Sequence, residues 1–138
     1  MLELDYAFLA DYATVDGGKL TAVGASFTRL RVVETPTVAV FAIAGRIRTD
    51  DEGRDEVGIT LRVTSPGEAG MTVEATNVLD AREDSVPPYR GRRRGLVFSV
   101  QVSLPVLEAG LYKVEVDLED TERVDRELYF DVLAADAE

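Results

Sequence analysis

An unusual concentration of arginine occupies one stretch of this 138-residue chain. Guanidinium groups form paired hydrogen bonds with phosphate and carboxylate oxygens, and an exposed aromatic ring beside them adds a stacking surface. Such a loop is typical of a site that engages an acidic or phosphorylated partner. We call residues 82–94 the Arg-rich loop. Its candidate binding residues are Arg82, Tyr89, Arg90, Arg92, Arg93 and Arg94.

A second interpretation of these arginines is that they balance the charge of carboxylates on neighbouring loops. If consecutive strands run alternately up and down, four connections share one end of the fold: residues 16–19, 49–56, 79–95 and 119–125. Exposed ion pairs contribute only about 0–1 kcal/mol each, so in this interpretation the arginines simply offset repulsion at that end. The acidic residues concerned are Asp50, Asp51, Glu52, Asp55, Glu56, Glu119, Asp120, Glu122 and Asp125.

The same acidic loops allow a calcium-dependent module as an alternative, because Ca²⁺ takes about six to eight oxygen ligands. An EF-hand is excluded, since Arg54 stands where that loop needs an oxygen ligand after Asp50 and Glu52. In the alternative without a function, the carboxylates lie on a solvated loop tip and discourage pairing between sheet edges. No metal ligand set is predicted.

A carboxylate enzyme is a weaker alternative. Asp5 and Asp11 lie in an otherwise apolar N-terminal stretch, and glycosidases use two carboxyl groups about 5–9 Å apart. Six residues along a strand place two Cα atoms roughly 20 Å apart, which is too far for that chemistry. We therefore expect no enzymatic activity.

The amino-acid composition of the chain excludes most other kinds of catalytic and metal-binding site. The chain has no cysteine and no histidine, which excludes disulfides, thiolate or imidazole metal sites and a Ser-His-Asp triad. A net charge of −11 opposes binding to nucleic acid or anionic membranes. Neither glycine-rich phosphate-loop pattern occurs, so no cofactor is predicted. No apolar run reaches a membrane span and no basic signal opens the chain, which predicts a cytoplasmic protein.

Period-two alternation of apolar residues predicts the elements that position these loops. It predicts strands at residues 57–63, 95–104, 111–118 and 128–132. The fully apolar stretch 38–44 predicts a central strand covered on both sides. Two N-terminal strands, 4–13 and 19–33, flank an Asp16-Gly17-Gly18 hairpin turn, and residues 71–78 form a less certain strand whose pairing is left open.

About eight strands without a helix favour a single antiparallel β-sandwich, immunoglobulin-like or C2-like, over the rival closed barrel. Residues 107–112, Leu-Glu-Ala-Gly-Leu-Tyr, resemble the Leu-x-x-Gly-x-Tyr turn of immunoglobulin-like and fibronectin-like sandwiches. In that turn the tyrosine hydroxyl bonds back to upstream backbone. We expect one domain over residues 1–133 and a frayed tail at 134–138.

Several short motifs also resemble those of a known family. They are Asp5-Tyr-Ala-Phe-Leu-Ala-Asp-Tyr-Ala13, Gly18-Lys-Leu20, Gly24-Ala25, the Pro36 turn before strand 38–44, and Gly110-Leu-Tyr112 with a last strand ending at Val132. The family consists of small uncharacterised bacterial, mainly actinobacterial, domains of unknown function. The resemblance implies an all-β sandwich and carries no activity, cofactor or site residue to this chain.

These observations predict a non-catalytic binding or scaffolding module whose interaction surface is the Arg-rich loop. Its expected partner is an acidic or phosphorylated protein rather than a nucleic acid or a membrane. An exposed edge strand offers a second route, either to a partner or to self-association.

Overall fold

Ten β-strands make up the regular structure in the computed structural model, which describes residues 1–67 and 70–135. No helix long and apolar enough to cross a membrane occurs among these residues. The strands are β1 (Leu2–Ala10), β2 (Tyr12–Asp16), β3 (Lys19–Val23), β4 (Arg29–Val32), β5 (Thr37–Thr49), β6 (Glu56–Thr64), β7 (Thr72–Asp80), β8 (Arg94–Val106), β9 (Gly110–Leu118) and β10 (Arg126–Ala134).

The strands form three sheets with the orders β1-β5-β8, β4-β10-β9-β6-β7 and β2-β3. The predicted all-β class is confirmed. The predicted sandwich of about eight antiparallel strands is corrected, because ten strands curl into a half-barrel arrangement and β4 pairs with β10 in parallel. Alternation assigns a side chain to a face, but it does not encode which strand lies next to which or how far a sheet curls.

One core lies between the three-stranded and five-stranded sheets. Its aromatic centre joins both sheets, because the rings of Phe41 and Phe130 lie 5.3 Å apart and Phe27 packs edge-on against each at 6.0 Å. The predicted alternation is confirmed in β6, β8, β9 and β10. Inward side chains with at most 2% exposure include Val57, Ile59, Leu61, Val63, Phe98, Leu104, Tyr112, Val114, Val116, Leu118, Phe130 and Val132.

The N-terminal hairpin covers part of the outer faces of β5 and β8, and the Ser99 hydroxyl of β8 donates a hydrogen bond to the Ala13 carbonyl of β2 at 3.3 Å. The turn glycines of the hairpin have φ angles of 59° and 73°, which only glycine adopts freely, and the predicted hairpin is confirmed. β2 and β3 pack onto the buried Ala42 and Ala44. Because Val38 and Val40 on the same face remain 62% and 54% exposed, β5 is central but covered on both sides only in part.

The two long N-terminal strands predicted from the sequence are each interrupted. The chain bends at Asp11 between β1 and β2, and residues 24–28 separate β3 from β4. These breaks let the hairpin leave the sheet that holds β1 and fold over its outer face. The uncertain segment 71–78 forms β7, an edge strand paired with β6. β10 includes Ala134, and residues 136–138 of the predicted tail lie outside the described residues.

The turn before β9 is a structural tyrosine corner. Tyr112 is fully buried, and its hydroxyl donates a hydrogen bond to the carbonyl of Glu108 at 2.8 Å. Burial raises the pKa of Tyr112 above its ordinary value. Gly110 has a φ angle of 132°, and a Cβ there would stand 3.0 Å from Pro66 Cγ, so the glycine in the motif is required by the fold.

Replacing Tyr112 by phenylalanine tests this corner. The variant keeps the ring but leaves the Glu108 carbonyl without its partner, so we expect a loss of about 1–2 kcal/mol in the free energy of unfolding. Urea denaturation measures it. The matched control is Tyr129→Phe, whose hydroxyl contacts exposed Glu127 and whose loss should stay within about 0.5 kcal/mol. Equal effects of the two substitutions would contradict the assignment.

Candidate functional site

Three loops meet at one end of the fold, which we call the charged end: residues 50–55, 81–93 and 119–125. Arg54 Nη1 lies 3.2 Å from Glu119 Oε1, and Arg92 Nη1 lies 2.8 Å from Glu52 Oε1. The predicted gathering of these loops is therefore confirmed. No hydrogen bond or ion pair found in the described residues joins the fourth predicted connection, 16–19, to this end.

Arg94 lies inside the protein, although the sequence placed it on the binding surface. Only 1% of the Arg94 surface is exposed to solvent. The guanidinium donates to the backbone carbonyls of Ala81, of Asp51 at 2.8 Å and of Arg54 at 3.4 Å. It thus joins the loop after β5 to the end of β7. The signal was present in the sequence, because residue 94 shares its strand phase with inward-facing Leu96 and Phe98.

Arg82 is paired with a carboxylate two residues away. Its Nε and Nη2 each lie 3.0 Å from the two oxygens of Asp80, a bidentate arrangement. These hydrogen bonds, together with one from the Arg82 backbone N–H, hold the pKa of Asp80 well below its ordinary value of 3.8. Arg82 lines a separate depression with Asp55 and Glu56.

A tight turn presents the remaining arginines. Arg93 N–H donates to the carbonyl of Arg90 at 2.9 Å, and Tyr89 N–H donates to the carbonyl of Arg93 at 3.0 Å. Arg90 and Arg93 are bridge partners across this turn, so their side chains lie on one face. Tyr89 is 56% exposed, and its ring lies near Gly95, where a Cβ would stand 3.5 Å from Tyr89 Cε1. Arg92, at the tip, makes the exposed ion pair with Glu52.

Arg90 and Arg93 make no ion pair within the part of the chain that the structure describes. Together with Arg92 and Asp50 they line an open depression of about 430 Å³. Arg93 also lines an adjoining depression of about 190 Å³ with Arg48 and Glu3. Two neighbouring guanidinium groups therefore keep their hydrogen-bonding capacity for a ligand.

Asp50 lies between these two depressions. Its pKa is lowered, chiefly by a hydrogen bond from the Met1 ammonium group and to a smaller degree by the charge of Arg93. Asp50 therefore stays ionised in the same depression as Arg90, Arg92 and Arg93, where its charge opposes a bound anion.

Arg54 organises the acidic loops, a role that sequence reasoning missed. Its guanidinium lies 2.9 Å from Asp51 Oδ2 and 3.2 Å from oxygens of both Glu119 and Asp120. No group of three or more acidic side chains in residues 1–67 and 70–135 is placed to hold a metal ion. The sequence showed a cation at this position, but not that it would draw carboxylates from two loops.

Asp5 and Asp11, the candidate carboxylate pair, lie in different environments. Asp5 accepts a 2.7 Å hydrogen bond from Arg46 Nε and lies 3.6 Å from Arg48. The Arg46 guanidinium also lies 5.5 Å from the centre of the Tyr6 ring. Asp11 instead occupies the bend between β1 and β2 beside Gly24. The two carboxylates do not converge on a shared site.

The fold and its charged end define an all-β protein of curled, mainly antiparallel sheets with an arginine-bearing turn. Residues 5–131 match a protein family of unknown function, DUF6941, and the chain belongs to that family. The resemblance noted in the sequence is confirmed to this extent. No curated protein matches the chain.

Replacing Arg94 by methionine tests its structural role. The variant leaves the carbonyls of Ala81 and Asp51 unpaired, so we expect a loss of about 2–3 kcal/mol in the free energy of unfolding. Arg93→Met is the matched control, because this arginine is partly exposed and makes no ion pair in the described residues, and its effect should stay within about 0.5 kcal/mol. Urea denaturation of both variants separates the two positions. A stable Arg94→Met protein would show that the carbonyl contacts contribute little.

A second test concerns the Asp80–Arg82 pair. Because the folded pKa of Asp80 is depressed, its stabilising contribution is present above the unfolded value near 3.8 and disappears as the pH falls through the lower folded value. We expect Asp80→Asn to be less stable than the wild type at neutral pH and equal to it in strong acid. Thermal unfolding across this pH range measures the difference. Curves for Asp80→Asn and the wild type that stay parallel across this range would refute the pairing.

Proposed function

We propose that this protein is a non-catalytic binding module that holds an acidic or phosphorylated protein partner at the turn of the Arg-rich loop. The observation that carries this proposal is the pair Arg90 and Arg93. They stand side by side on one face of the turn and make no ion pair in the described residues, although the chain has a net charge of −11.

The chemistry of the turn favours an oxyanion ligand. Each guanidinium offers a planar fork of N–H donors that matches two oxygens of a phosphate or carboxylate. Arg90 and Arg93 can therefore contact one phosphate together or two successive carboxylates. Tyr89, which precedes Arg90 in the chain, adds an exposed ring suited to stacking against a flat group of the partner. Arg92 can exchange Glu52 for the ligand, because both side chains of this ion pair are exposed to water.

The fixed position of Arg94, directly after the turn, also favours binding. Buried Arg94 directly follows the turn and is fixed by backbone carbonyls of other elements, so the turn begins from a rigid point. A turn that is already ordered loses less conformational entropy when it binds. Charge balance explains Arg82 and Arg54, whose carboxylate partners are close, but it does not explain Arg90 and Arg93.

The finer features of the proposal follow from the sequence. We place the module in the cytoplasm of a bacterium, on the basis of its lack of cysteine and of the family resemblance noted in the sequence. The buried tyrosine corner supports an immunoglobulin-like or C2-like outline for the two larger sheets. Neither feature is needed for the arginine turn to bind an anion.

Peptide binding tests the proposed function. The probes are a fluorescent Glu-rich peptide and the same peptide carrying phosphoserine, measured by anisotropy at low and moderate salt. We expect binding that weakens as salt rises, because exposed charges are screened. The double variant Arg90→Glu with Arg93→Glu should lose at least about tenfold in affinity, since each charge-assisted contact contributes about 1.5–3 kcal/mol.

The matched control is Arg29→Glu with Arg31→Glu. These arginines are exposed on β4, and the substitution changes the net charge by the same amount. The control should bind as the wild type does. If neither peptide binds the wild type, or if both double variants lose affinity equally, the proposed function is wrong. A preference for the phosphorylated peptide would identify phosphate as the recognised group, and equal binding would identify carboxylate.

A further inference from the structure

An apolar pocket lies at the seam between the two larger sheets, where β1 passes beside β10. Its volume is about 300 Å³, at the lower end of the range of about 300–1,000 Å³ that is usual for small-molecule sites. Core side chains supply much of its lining, namely Ala7, Leu9, Phe27 and Leu128. It shares no lining residue with the depression beside Arg90 and Arg93, so it is separate from the proposed anion site.

The pocket exists because β4 covers only the second half of β10. Their pairing is confined to residues 131–134 of β10. Just before β4, residues 26–28 cross from one sheet to the other. Ser26 N–H donates to the Leu9 carbonyl at 2.6 Å, and Asp131 N–H donates to the Thr28 carbonyl at 2.8 Å. This crossing segment lines the pocket on one side, and residues 127–129 of β10 line it where β4 no longer covers the strand.

The crossing segment is anchored in the core. The ring of Phe27 packs edge-on at 6.0 Å against Phe41 of the three-stranded sheet and against Phe130 of the five-stranded sheet. A wall that is fixed to both sheets is ordered before any ligand arrives. A preformed pocket loses less conformational entropy on binding than one that must first assemble.

Unpaired backbone groups lie along both strands of the seam. Asp131 N–H donates away from β9, so by alternation Glu127 and Tyr129 direct their backbone N–H and C=O groups to the same side. On β1, the Leu9 carbonyl accepts from Ser26 on the side away from β5, and Ala7 faces that side as well. Glu127, Tyr129 and Ala7 have no hydrogen-bond partner there among residues 1–67 and 70–135. An apolar pocket with a few polar groups at its rim is the usual form of a small-ligand site.

Two carboxylates lie opposite each other near the mouth of this pocket. Glu127, which is exposed and lines the pocket, accepts a hydrogen bond from the Tyr129 hydroxyl at 2.7 Å. Glu127 also lies directly opposite Glu115 in the β9–β10 pair, and like charges in that position repel each other. The pKa of Tyr129 is raised, chiefly by the hydrogen bond to Glu127 and to a smaller degree by the charges of both carboxylates.

The nearby cations leave these carboxylates without an ion pair. Arg62 lies opposite Glu115 on β6, but its guanidinium lies 2.9 Å from Asp117 Oδ2 and 3.7 Å from Glu74 Oε2 instead. Lys113, opposite Tyr129, makes no ion pair with either carboxylate in the described part of the chain. The mouth of the pocket therefore keeps a negative charge that a cationic ligand would neutralise.

We propose that this pocket binds a small amphipathic cation, with a ring-sized apolar body and one ammonium group. The apolar body lies against Leu9, Phe27 and Leu128, and the ammonium group lies at the Glu127 carboxylate. The occupant is a small molecule rather than an extended peptide, because the free edge of β1 is short. The bulge between Leu4 and Tyr6 interrupts the edge on one side of Ala7, and the Ser26 hydrogen bond occupies it at Leu9.

NMR titration of the 15N-labelled wild-type protein tests the site. The probes are tryptamine, phenethylamine and hexylamine, with indole-3-propionate as the probe that keeps the indole ring and reverses the charge. We expect tryptamine to bind with a dissociation constant of about 0.1–1 mM, a value suited to a ligand of this size. The largest shifts should fall on the amides of Ala7, Phe27, Leu128 and Tyr129. Indole-3-propionate should bind at least about tenfold more weakly.

Two results with the wild type would overturn the proposal. One is that none of the three amines gives a saturable shift at these amides below about 10 mM. The other is that indole-3-propionate binds there as tightly as tryptamine, because the carboxylate at the mouth would then have no influence on the ligand.

Three variants test the charge and the space separately. Glu127→Gln should raise the dissociation constant of tryptamine about three- to tenfold. Its matched control is Glu122→Gln, which removes the same charge from an exposed position in the loop before β10 and should bind as the wild type does. Thr28→Trp places a large ring at the exposed rim of the pocket and should abolish binding.

Melting temperatures within about 2 °C of the wild type establish that the variants are folded. Equal weakening by Glu127→Gln and Glu122→Gln would show a response to net charge alone and refute the site. Unchanged binding by folded Thr28→Trp would place the ligand elsewhere and refute it too. If Thr28→Trp does not fold, the contrast between tryptamine and indole-3-propionate on the wild type decides the question.

Discussion

The protein depends on a buried guanidinium that has no carboxylate partner among the described residues. A charge removed from water is costly unless its donors are hydrogen-bonded. Arg94 meets that condition with backbone carbonyls of Ala81, Asp51 and Arg54, which come from two different connections. One side chain therefore ties the start of β8 to the loop after β5 and to the end of β7. The charged end exists as a defined surface because of this anchor.

Charge at that end is divided among arginines with different tasks. Arg54 draws Asp51, Glu119 and Asp120 together, which removes much of the repulsion between two acidic loops. Arg82 satisfies its neighbour Asp80. What remains in the described residues is a turn whose Arg90 and Arg93 have no such partner, next to an ionised Asp50. An acidic protein can in this way keep a small basic site, because most of its local repulsion is neutralised elsewhere.

Within the three-stranded sheet, β5 and β8 have different neighbours. Among the residues that the structure describes, β8 is hydrogen-bonded to a strand on one side only, while β5 is enclosed between β1 and β8. The β2–β3 hairpin covers the small residues Ala42 and Ala44 on the outer face. Small side chains there let a second layer approach closely, which explains why β5 can be central without a helix packed on it. The arginine turn and β8 are consecutive in the chain, because β8 begins directly after the turn.

The sequence by itself determined the all-β class, the Asp16-Gly17-Gly18 hairpin, the inward faces of β6, β8, β9 and β10, and the tyrosine corner at Tyr112. These features are local: a period of two residues, a turn that needs positive φ angles, and one hydroxyl bonded four residues away. The assumption that consecutive strands run alternately up and down also predicted that four connections would share an end, and three of them, the charged loops, are joined there by ion pairs.

Only the tertiary structure decided which groups each arginine contacts. Arg90 and Arg94 are the same residue type four positions apart, yet one faces solvent and the other is held by carbonyls of distant loops. The breaks at Asp11 and at residues 24–28, the parallel β4–β10 pairing and the apolar pocket beside β10 were decided in the same way. The physical reason is that sheet curvature, strand neighbours and ion pairs depend on residues far apart in the chain, whereas periodicity reports only which face a side chain occupies.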